Sequence, residues 1–264
     1  SGEHSWPTGE QSHHGAGWFG GKLKSSPQFG FAATLAAHSS AVAAVTASLA
    51  GVTSAPHALG VATRSGGFGG VDGLADWVRQ HNVDLMLDMT HPYAAQMSRH
   101  AAAVADALSL PTIAFHRPPW VAEADDQWAV FDSWQAMAQA VPAAAKLFIA
   151  GGSRDLEAFC QRSDISLLIR GLNLDHYKLK YNNINIIKRL PHKSVELEAE
   201  LLRDHGITHI CCKNSGGAFS QTKLQAARLL RLPVWMLDRP TAPQAAPFYQ
   251  ILHDVDSVKQ ALAR

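Results

Sequence analysis

The 264-residue chain carries 23 Lys and Arg against 22 Asp and Glu, a formal net charge of +1, and 47% of it is hydrophobic. That near-neutral balance excludes a nucleic-acid binder working through a broad basic face, while a local Arg and Lys cluster can still take an acidic small molecule. The length suits two domains with substantial cores, and no apolar run approaches the ~20 residues of a membrane span.

Residues 1–30 are rich in Gly, Ser, His and Pro. They are expected to be a poorly ordered lead-in without a strand, in which nothing fixes His4, His13 and His14 into a metal geometry. An Ala-rich helix is expected from Phe31, then a strand over 42–49 and a turn at Gly51. Arg64-Ser-Gly-Gly-Phe-Gly-Gly70 leads into a helix over 71–80 with Leu74, Trp77 and Val78 on one face. A strand over 83–87, a helix over 94–108 and a strand over 112–116 follow, and Pro118-Pro119-Trp120 ends that stretch. Residues 128–131 read as a strand and 133–140 as a helix.

A second half begins with a strand over 147–150 that runs into Gly151-Gly-Ser153. A short helix over 155–160 and a strand over 166–170 come next, then a polar stretch, 171–190, that carries no clear pattern. Ser194 caps a helix over 194–205, followed by a strand over 208–212, a helix over 221–230 and a strand over 233–237. Alternating strands and helices imply parallel sheets with helices on both faces. The expected division is 1–142 and 143–264. Cys160, Cys211 and Cys212 lack any metal-ligand spacing and read as reduced strand residues, and the polar start is unlike a signal peptide; both fit a cytoplasmic protein.

Reactive side chains collect where strands end. In Asp84-Leu-Met-Leu-Asp-Met-Thr-His-Pro-Tyr93 a buried strand gives way to Asp88, Thr90, His91 and Tyr93, and Pro92 prevents the strand from continuing. Ligands of open α/β sheets bind at that end of the strands. His91 suits general acid or base work, or it positions a ligand without moving protons. Asp88 either orients His91 or caps the loop; Tyr93 either donates a proton or stacks on a flat ligand. The glycines of 66–70 and 213–217 let backbone N–H groups approach an anion at the start of the next helix, or serve only to turn the chain. Arg64 and Lys213 add charge there, and Arg117, Arg170 and Arg239 at other strand ends suit carboxylates or phosphates. The sequence holds no Gly-x-Ser-x-Gly elbow, His-Glu-x-x-His or Walker loop, so a hydrolase triad, a zinc protease and a kinase have no anchor.

Five ordered motifs resemble the signature turns of the precorrin-6A reductase family of cobalamin (vitamin B12) biosynthesis. They are Arg64-Ser-Gly-Gly-Phe-Gly-Gly-Val-Asp-Gly-Leu74, Asp88-Met-Thr-His-Pro-Tyr-Ala94, Arg117-Pro-Pro-Trp120, Lys213-Asn-Ser-Gly-Gly217 and Arg239-Pro240. The resemblance covers roughly residues 31–264 and is weakest over 171–193. It implies an α/β fold of two Rossmann-like parallel-sheet domains with a ligand cleft between them. It also implies NADPH-dependent hydride transfer to a macrocycle double bond, turning precorrin-6A into precorrin-6B. Cofactor contacts are then expected at Ser48, Gly66, Gly67, Gly69, Gly70, Thr90, Lys213, Asn214, Ser215 and Gly216, and substrate carboxylates at Arg64, Arg117 and Arg239. His91 or Tyr93, or else solvent water, becomes the proton donor, and Phe68, Tyr93 or Trp120 packs on the flat substrate. No metal is needed. The implied partner is the tetrapyrrole-derived small molecule, with no nucleic acid or membrane, acting on a monomer.

The chain departs from the family in three places. The family's opening Gly-Gly-Thr turn is matched near Ser25-Ser-Pro-Gln-Phe-Gly30, with Gly20-Gly21 too early; Val52 stands where the family has Arg; Leu190-Pro-His192 replaces Gly-Pro-Phe. Val52 cannot pair with a 2′-phosphate, but no Asp or Glu closes that strand as an NAD ribose site prefers. Thr46, Ser48 and Thr53 leave room for a phosphate, which places NADPH ahead of NADH. The rival readings are an NADH-dependent cobalt-precorrin-6A reductase and a non-catalytic tetrapyrrole- or nucleotide-binding relative.

Overall fold

Short apolar runs such as Leu85-Met-Leu, Leu147-Phe-Ile and Ile210-Cys-Cys are built for strands covered on both faces, the situation of a parallel sheet flanked by helices. A computed structural model describes residues 16–20, 45–49, 61–150, 156–171, 174–217 and 220–263, the first of these as backbone. In chain order the early elements are β1 (Ala16–Gly20), β2 (Val45–Leu49), β3 (Ala62–Ser65), α1 (Val71–Gln80), β4 (Leu85–Asp88), α2 (Ala95–Leu108) and β5 (Thr112–Phe115). Next come β6 (Trp128–Phe131), α3 (Trp134–Ala140), β7 (Lys146–Ala150), α4 (Glu157–Cys160), β8 (Ser166–Arg170), α5 (Asp175–Lys180) and β9 (Ile184–Ile187). The chain finishes with α6 (Val195–Asp204), β10 (His209–Lys213), α7 (Thr222–Leu230), β11 (Val234–Leu237), β12 (Tyr249–Leu252) and α8 (Val255–Leu262).

One sheet runs β3-β2-β1-β4-β5-β12 and the other β9-β8-β7-β10-β11-β6, with every pairing parallel. Each is the 3-2-1-4-5-6 order of a doubly wound nucleotide-binding sheet, and in each the sixth strand is borrowed from elsewhere in the chain. β12 returns from the C-terminal segment to pair with β5 (Tyr249↔Thr112). β6 precedes the rest of its sheet and pairs with β11 (Trp128↔Val234). The units are therefore Ser1–His116 with Thr241–Arg264, and Arg117–Pro240. This moves the expected boundary at 142–143 back to 116–117 and adds a second crossing at 240–241. The helix after β6 confirms the assignment: Trp134 packs edge-on to Phe159, with ring centroids 5.8 Å apart, and Arg162 donates to the Ala138 and Val141 carbonyls.

The expected strandless lead-in is also corrected. Residues 16–20 form β1, the central strand between β2 and β4, in register Gly17↔Thr46 and Gly17↔Met86. The patternless 171–190 stretch contains α5 and β9, and β3, β12 and α8 are further elements the pattern did not reveal. Cys160 closes α4 rather than a strand; Cys211 and Cys212 lie in β10 as expected. Burial pushes all three thiols up, Cys160 to about 11. The helix expected from Phe31, the Gly51 turn, Val52, Thr53, the 25–30 stretch, the early histidines and Gly151-Gly-Ser153 lie outside the described residues.

In the first unit Leu74 and Val78 of α1 and Ala101, Val104 and Ala105 of α2 pack with Met86, Ala114 and Tyr249. Val258 and Leu262 of α8 pack with Leu87, Ile113 and Phe115. In the second, Ala199 and Leu202 of α6 and Leu224 and Ala227 of α7 cover Phe148, Leu168, Ile210 and Met236. Each such Leu, Ile or Phe contributes about 2 kcal/mol of apolar burial. Together the helices fix where the carboxyl ends of the strands emerge.

Candidate active site

In a 3-2-1-4-5-6 sheet the ligand crevice opens outside the strand ends at the point where strand order reverses. That point lies between β1 and β4 in the first unit and between β7 and β10 in the second. The loops that follow β4 and β10 are 88–93 and 213–217, so these two are topological counterparts. The 64–70 loop, which the sequence pairs with 213–217 by composition, instead follows the edge strand β3.

Asp88 ends β4 and is 1% exposed. Its Oδ1 accepts the Thr90 N–H at 3.0 Å and its Oδ2 accepts the Tyr249 hydroxyl at 2.8 Å. Thr90 Oγ1 lies 3.0 Å from Ser98 Oγ on α2. Burial, and then the neighbouring Asp88 charge, push the Tyr249 phenol well above its ordinary value. Asp88 is thus the capping carboxylate of this loop. His91 Nδ1 accepts the Tyr93 N–H at 3.2 Å, so a neutral His91 ring carries its proton on Nε2. The two rings lie 5.6 Å apart.

The 64–70 loop turns through Gly66, Gly69 and Gly70, whose φ values of +107°, +83° and +104° only glycine adopts at little cost. A Cβ added at any of them, or at Gly67, would meet nothing within 4 Å, so the backbone there is open to a ligand. Gly70 caps α1 without a side-chain acceptor. Arg64 Nη1 donates to Ser48 Oγ (2.8 Å) and to Gly66 O (3.1 Å), and Nη2 to Gly67 O (2.9 Å). Its guanidinium lies 3.8 Å above the Phe68 ring, and Phe68 meets Trp77 edge-on at 5.6 Å. One face of Phe68 is therefore occupied by Arg64. Nε–H and one Nη2–H of Arg64 have no acceptor among the described residues.

In the second unit Asn214 reads the Trp120 backbone like a second strand. Its Oδ1 accepts Trp120 N–H at 2.8 Å and its Nδ2 donates to Trp120 O at 3.0 Å. Trp120 Nε1 donates to Gly217 O at 3.1 Å. Arg239 donates from Nε to Asn214 O (2.7 Å), from Nη1 to Arg117 O (2.7 Å) and from Nη2 to Pro118 O (3.3 Å). Gly216, at φ +64°, fits beneath: a Cβ there would come 2.2 Å from Pro118 O. Arg239 is thus a brace between two loops. Burial, and then Arg239 beside it, lower Arg117 to about 10. Trp120 is itself buried, with Lys223 Nζ 4.4 Å above its ring, so it supports the loop from below and does not offer a face to a flat ligand. Lys223 Nζ donates to Ser220 O at 2.6 Å, and burial pushes its ammonium below the ordinary range.

Arg170, the other strand-end arginine, is committed to Glu198. The bidentate pair spans 2.6 and 3.0 Å, with side chains 6% and 0% exposed. Glu198 also accepts the His192 N–H. The structure therefore brings Ser48, Arg64, Gly66 and Gly67 together, Thr90, His91 and Tyr93 together, and Asn214, Gly216, Arg117 and Arg239 together. Lys213 and Ser215 are half-buried members of the last loop. Tyr249, Ser98, Glu198 and Lys223 carry no motif and were not legible as site-supporting residues. No three described His, Cys, Asp or Glu side chains cluster as a metal site, and no described helix is long and apolar enough to cross a membrane.

Comparison with known proteins bears on the chemistry. The family described as precorrin-6x reductase CbiJ/CobK matches residues 30–263. A precorrin-6A reductase of Rhodobacter capsulatus is 41% identical over 198 residues, 74% of this chain and 78% of that protein. One from Rhodococcus erythropolis is 35% identical over 201 residues, 76% of this chain and 78% of the relative. The solved structure of a CobK precorrin-6A reductase superposes with a TM-score of 0.78 at 33% identity, covering 94% of this chain and 96% of that one.

Proposed function

The chain belongs to the precorrin-6x reductase family, and from that premise we propose that it reduces precorrin-6A to precorrin-6B with NADPH as hydride source. It is an oxidoreductase acting on a CH–CH bond of a cobalamin precursor, with a nicotinamide nucleotide as reductant. The bound nicotinamide supplies the hydride; the chain's own residues bind, orient and protonate.

The observation that carries the choice of NADPH is the state of Arg64. Two of its nitrogens are tied to Ser48, Gly66 and Gly67, which fixes the guanidinium at the carboxyl end of β3 beside β2. Its remaining Nε–H and Nη2–H are suited to a bidentate phosphate contact. That supplies, from a neighbouring strand, the charge that Val52 cannot. The open glycine backbone and the first turn of α1 then suit the other phosphates. Ser48, Gly66, Gly67, Gly69, Gly70 and Thr90 are the cofactor set of the first unit; Lys213, Asn214, Ser215 and Gly216 are that of the second.

For the macrocycle, Arg117 is the arginine suited to a carboxylate. Arg64 passes to the cofactor, and Arg239 holds the loop that carries Arg117. A second proton on His91 would place an Nδ1–H against the Tyr93 N–H, so His91 acts as an Nε2–H hydrogen-bond donor that orients the substrate. Proton delivery then falls to Tyr93 or to water. The test is NADPH consumption that depends on precorrin-6A, repeated with NADH. Arg64→Ala is expected to raise the KM for NADPH about tenfold or more and leave that for NADH within twofold. Equal effects on both cofactors would remove Arg64 from the phosphate, and absence of any precorrin-dependent NADPH oxidation would remove the proposed reaction.

A further inference from the structure

Tyr249 belongs to the borrowed strand β12 and lies 161 residues from Asp88 in sequence, yet its hydroxyl is bonded to that carboxylate. It is fully buried. The direction of this bond is forced. A carboxylate only accepts, so Tyr249 donates to Asp88 Oδ2. Thr90 Oγ1 separately shares a hydrogen bond with Ser98 Oγ. Asp88 Oδ1 accepts the Thr90 N–H. Asp88, itself held by Tyr249, thus fixes Thr90 by its backbone, and Ser98 fixes it by its hydroxyl.

We propose that Tyr249 is a positioning residue for the 90–93 loop, acting through Asp88 to set Thr90 and, through it, His91 and Tyr93. This rests on the reading of that loop as part of the reductase site. Packing alone would be served by Phe at this place among Leu74, Met86 and Ala114; the hydroxyl is what holds Asp88. Without it Asp88 Oδ2 loses its donor in a buried setting, and the carboxylate turns to find another. Thr90 is then free to shift, and with it the His91 Nδ1 contact to Tyr93 N–H.

The experiment is Tyr249→Phe, read in two ways. NADPH turnover with precorrin-6A is expected to lose about tenfold or more in kcat, a larger effect than any rise in the KM for NADPH through Thr90, as a misplaced loop at the reacting end requires. Histidine NMR, with the His91 resonance identified by its loss in His91→Gln, is expected to show the Nε2–H tautomer in the parent protein and a mixture in Tyr249→Phe. Asp88→Asn serves as the conservative rescue. Its amide oxygen still accepts from Thr90 and its Nδ2 donates to the Tyr249 oxygen, so the link from Tyr249 to Thr90 is kept and both readouts stay near the parent. If Tyr249→Phe does not fold, Asp88→Ala removes the link between Tyr249 and the Thr90 N–H and is expected to move both readouts in the same direction. Unchanged kcat and an unchanged His91 signal, with only a lower Tm, would make Tyr249 a core tyrosine and overturn the proposal. A parent protein that oxidises no NADPH would instead defeat the reductase reading, while the His91 tautomer in Tyr249→Phe still decides the positioning role.

Discussion

The two units share one strand order but stabilise their switch-point loops by opposite means. In the first, the loop after β4 hangs on neutral hydroxyls and one buried carboxylate: Asp88, Thr90, Ser98 and Tyr249. In the second, the loop after β10 is held from the outside by Arg239 and from within by the Asn214–Trp120 backbone mimicry. Behind it lies the only buried ion pair among the described residues, Arg170 with Glu198. The same topology therefore leaves room for two electrostatic designs. A buried carboxylate held by a tyrosine hydroxyl and a backbone N–H positions the first loop, and a guanidinium brace adds positive charge beside the second.

Glu198→Ala should have the largest effect and should strike the second unit alone. Removing the partner leaves Arg170 charged in a buried site, a cost of about 3–5 kcal/mol. In urea unfolding this appears as an early transition of the second unit, and Arg170→Met combined with Glu198→Leu should recover most of it. By contrast Arg79→Ala in the first unit breaks an exposed pair with Asp76 and should change stability by less than about 0.5 kcal/mol. If the two single variants cost the same, the contrast between the units is wrong.

The glycines give the next test. Gly216→Ala places a Cβ against Pro118 O and Arg239 Nη2 at positive φ, and should cost about 2–4 kcal/mol together with most of the turnover. Gly69→Ala has open space, so only its backbone conformation counts against it, about 1–2 kcal/mol. Comparing Tm and kcat/KM for the pair separates a tightly stacked loop from an open one. Arg239→Lys should follow, at about 1–3 kcal/mol, because one ammonium cannot reach three carbonyls. Steady-state kinetics should show the KM for precorrin-6A rising while the preference between NADPH and NADH is kept, since Arg64 sits in the other unit.

The smallest effect concerns pH. Burial lowers His209, beside Thr208 and the Trp235 ring, from its ordinary value. The unfolded chain then binds a proton that the folded one does not, in the window between the lowered folded pKa and about 6.5. Its contribution is complete above that window and is lost as pH falls through it. His209→Gln should flatten this part of the stability curve of the second unit, measured as Tm against pH, and leave the part above about pH 7 in place.

Most of the helices and the strands with long apolar runs were legible because their patterns are local. The helix over 71–80 has the bounds of α1, and Ser194 caps α6 as expected, its hydroxyl accepting the Leu197 N–H. The glycine loops were legible because positive φ demands glycine. Site residues with motifs were found at strand ends, while Tyr249 and Ser98 were not, since one buried hydroxyl in an apolar segment looks like any other. Phe68 and Trp120 were visible as aromatics, but not the Arg64 and Lys223 that cover them.

By itself the sequence determined an α/β chain, the strand-end loops 64–70, 88–93 and 213–217, and the family to which those loops belong, because propensity, periodicity and turn chemistry are written within a few residues of one another. The tertiary structure alone decided which strand joins which sheet. Edge strands such as β6 and β12 carry four residues each, too few to specify a partner, and the choice is made by the backbone edge and core they complete. It also decided that 88–93, and not 64–70, is the counterpart of 213–217. Strand order is a property of the folded sheet, where Asp88 meets a tyrosine from the far end of the chain.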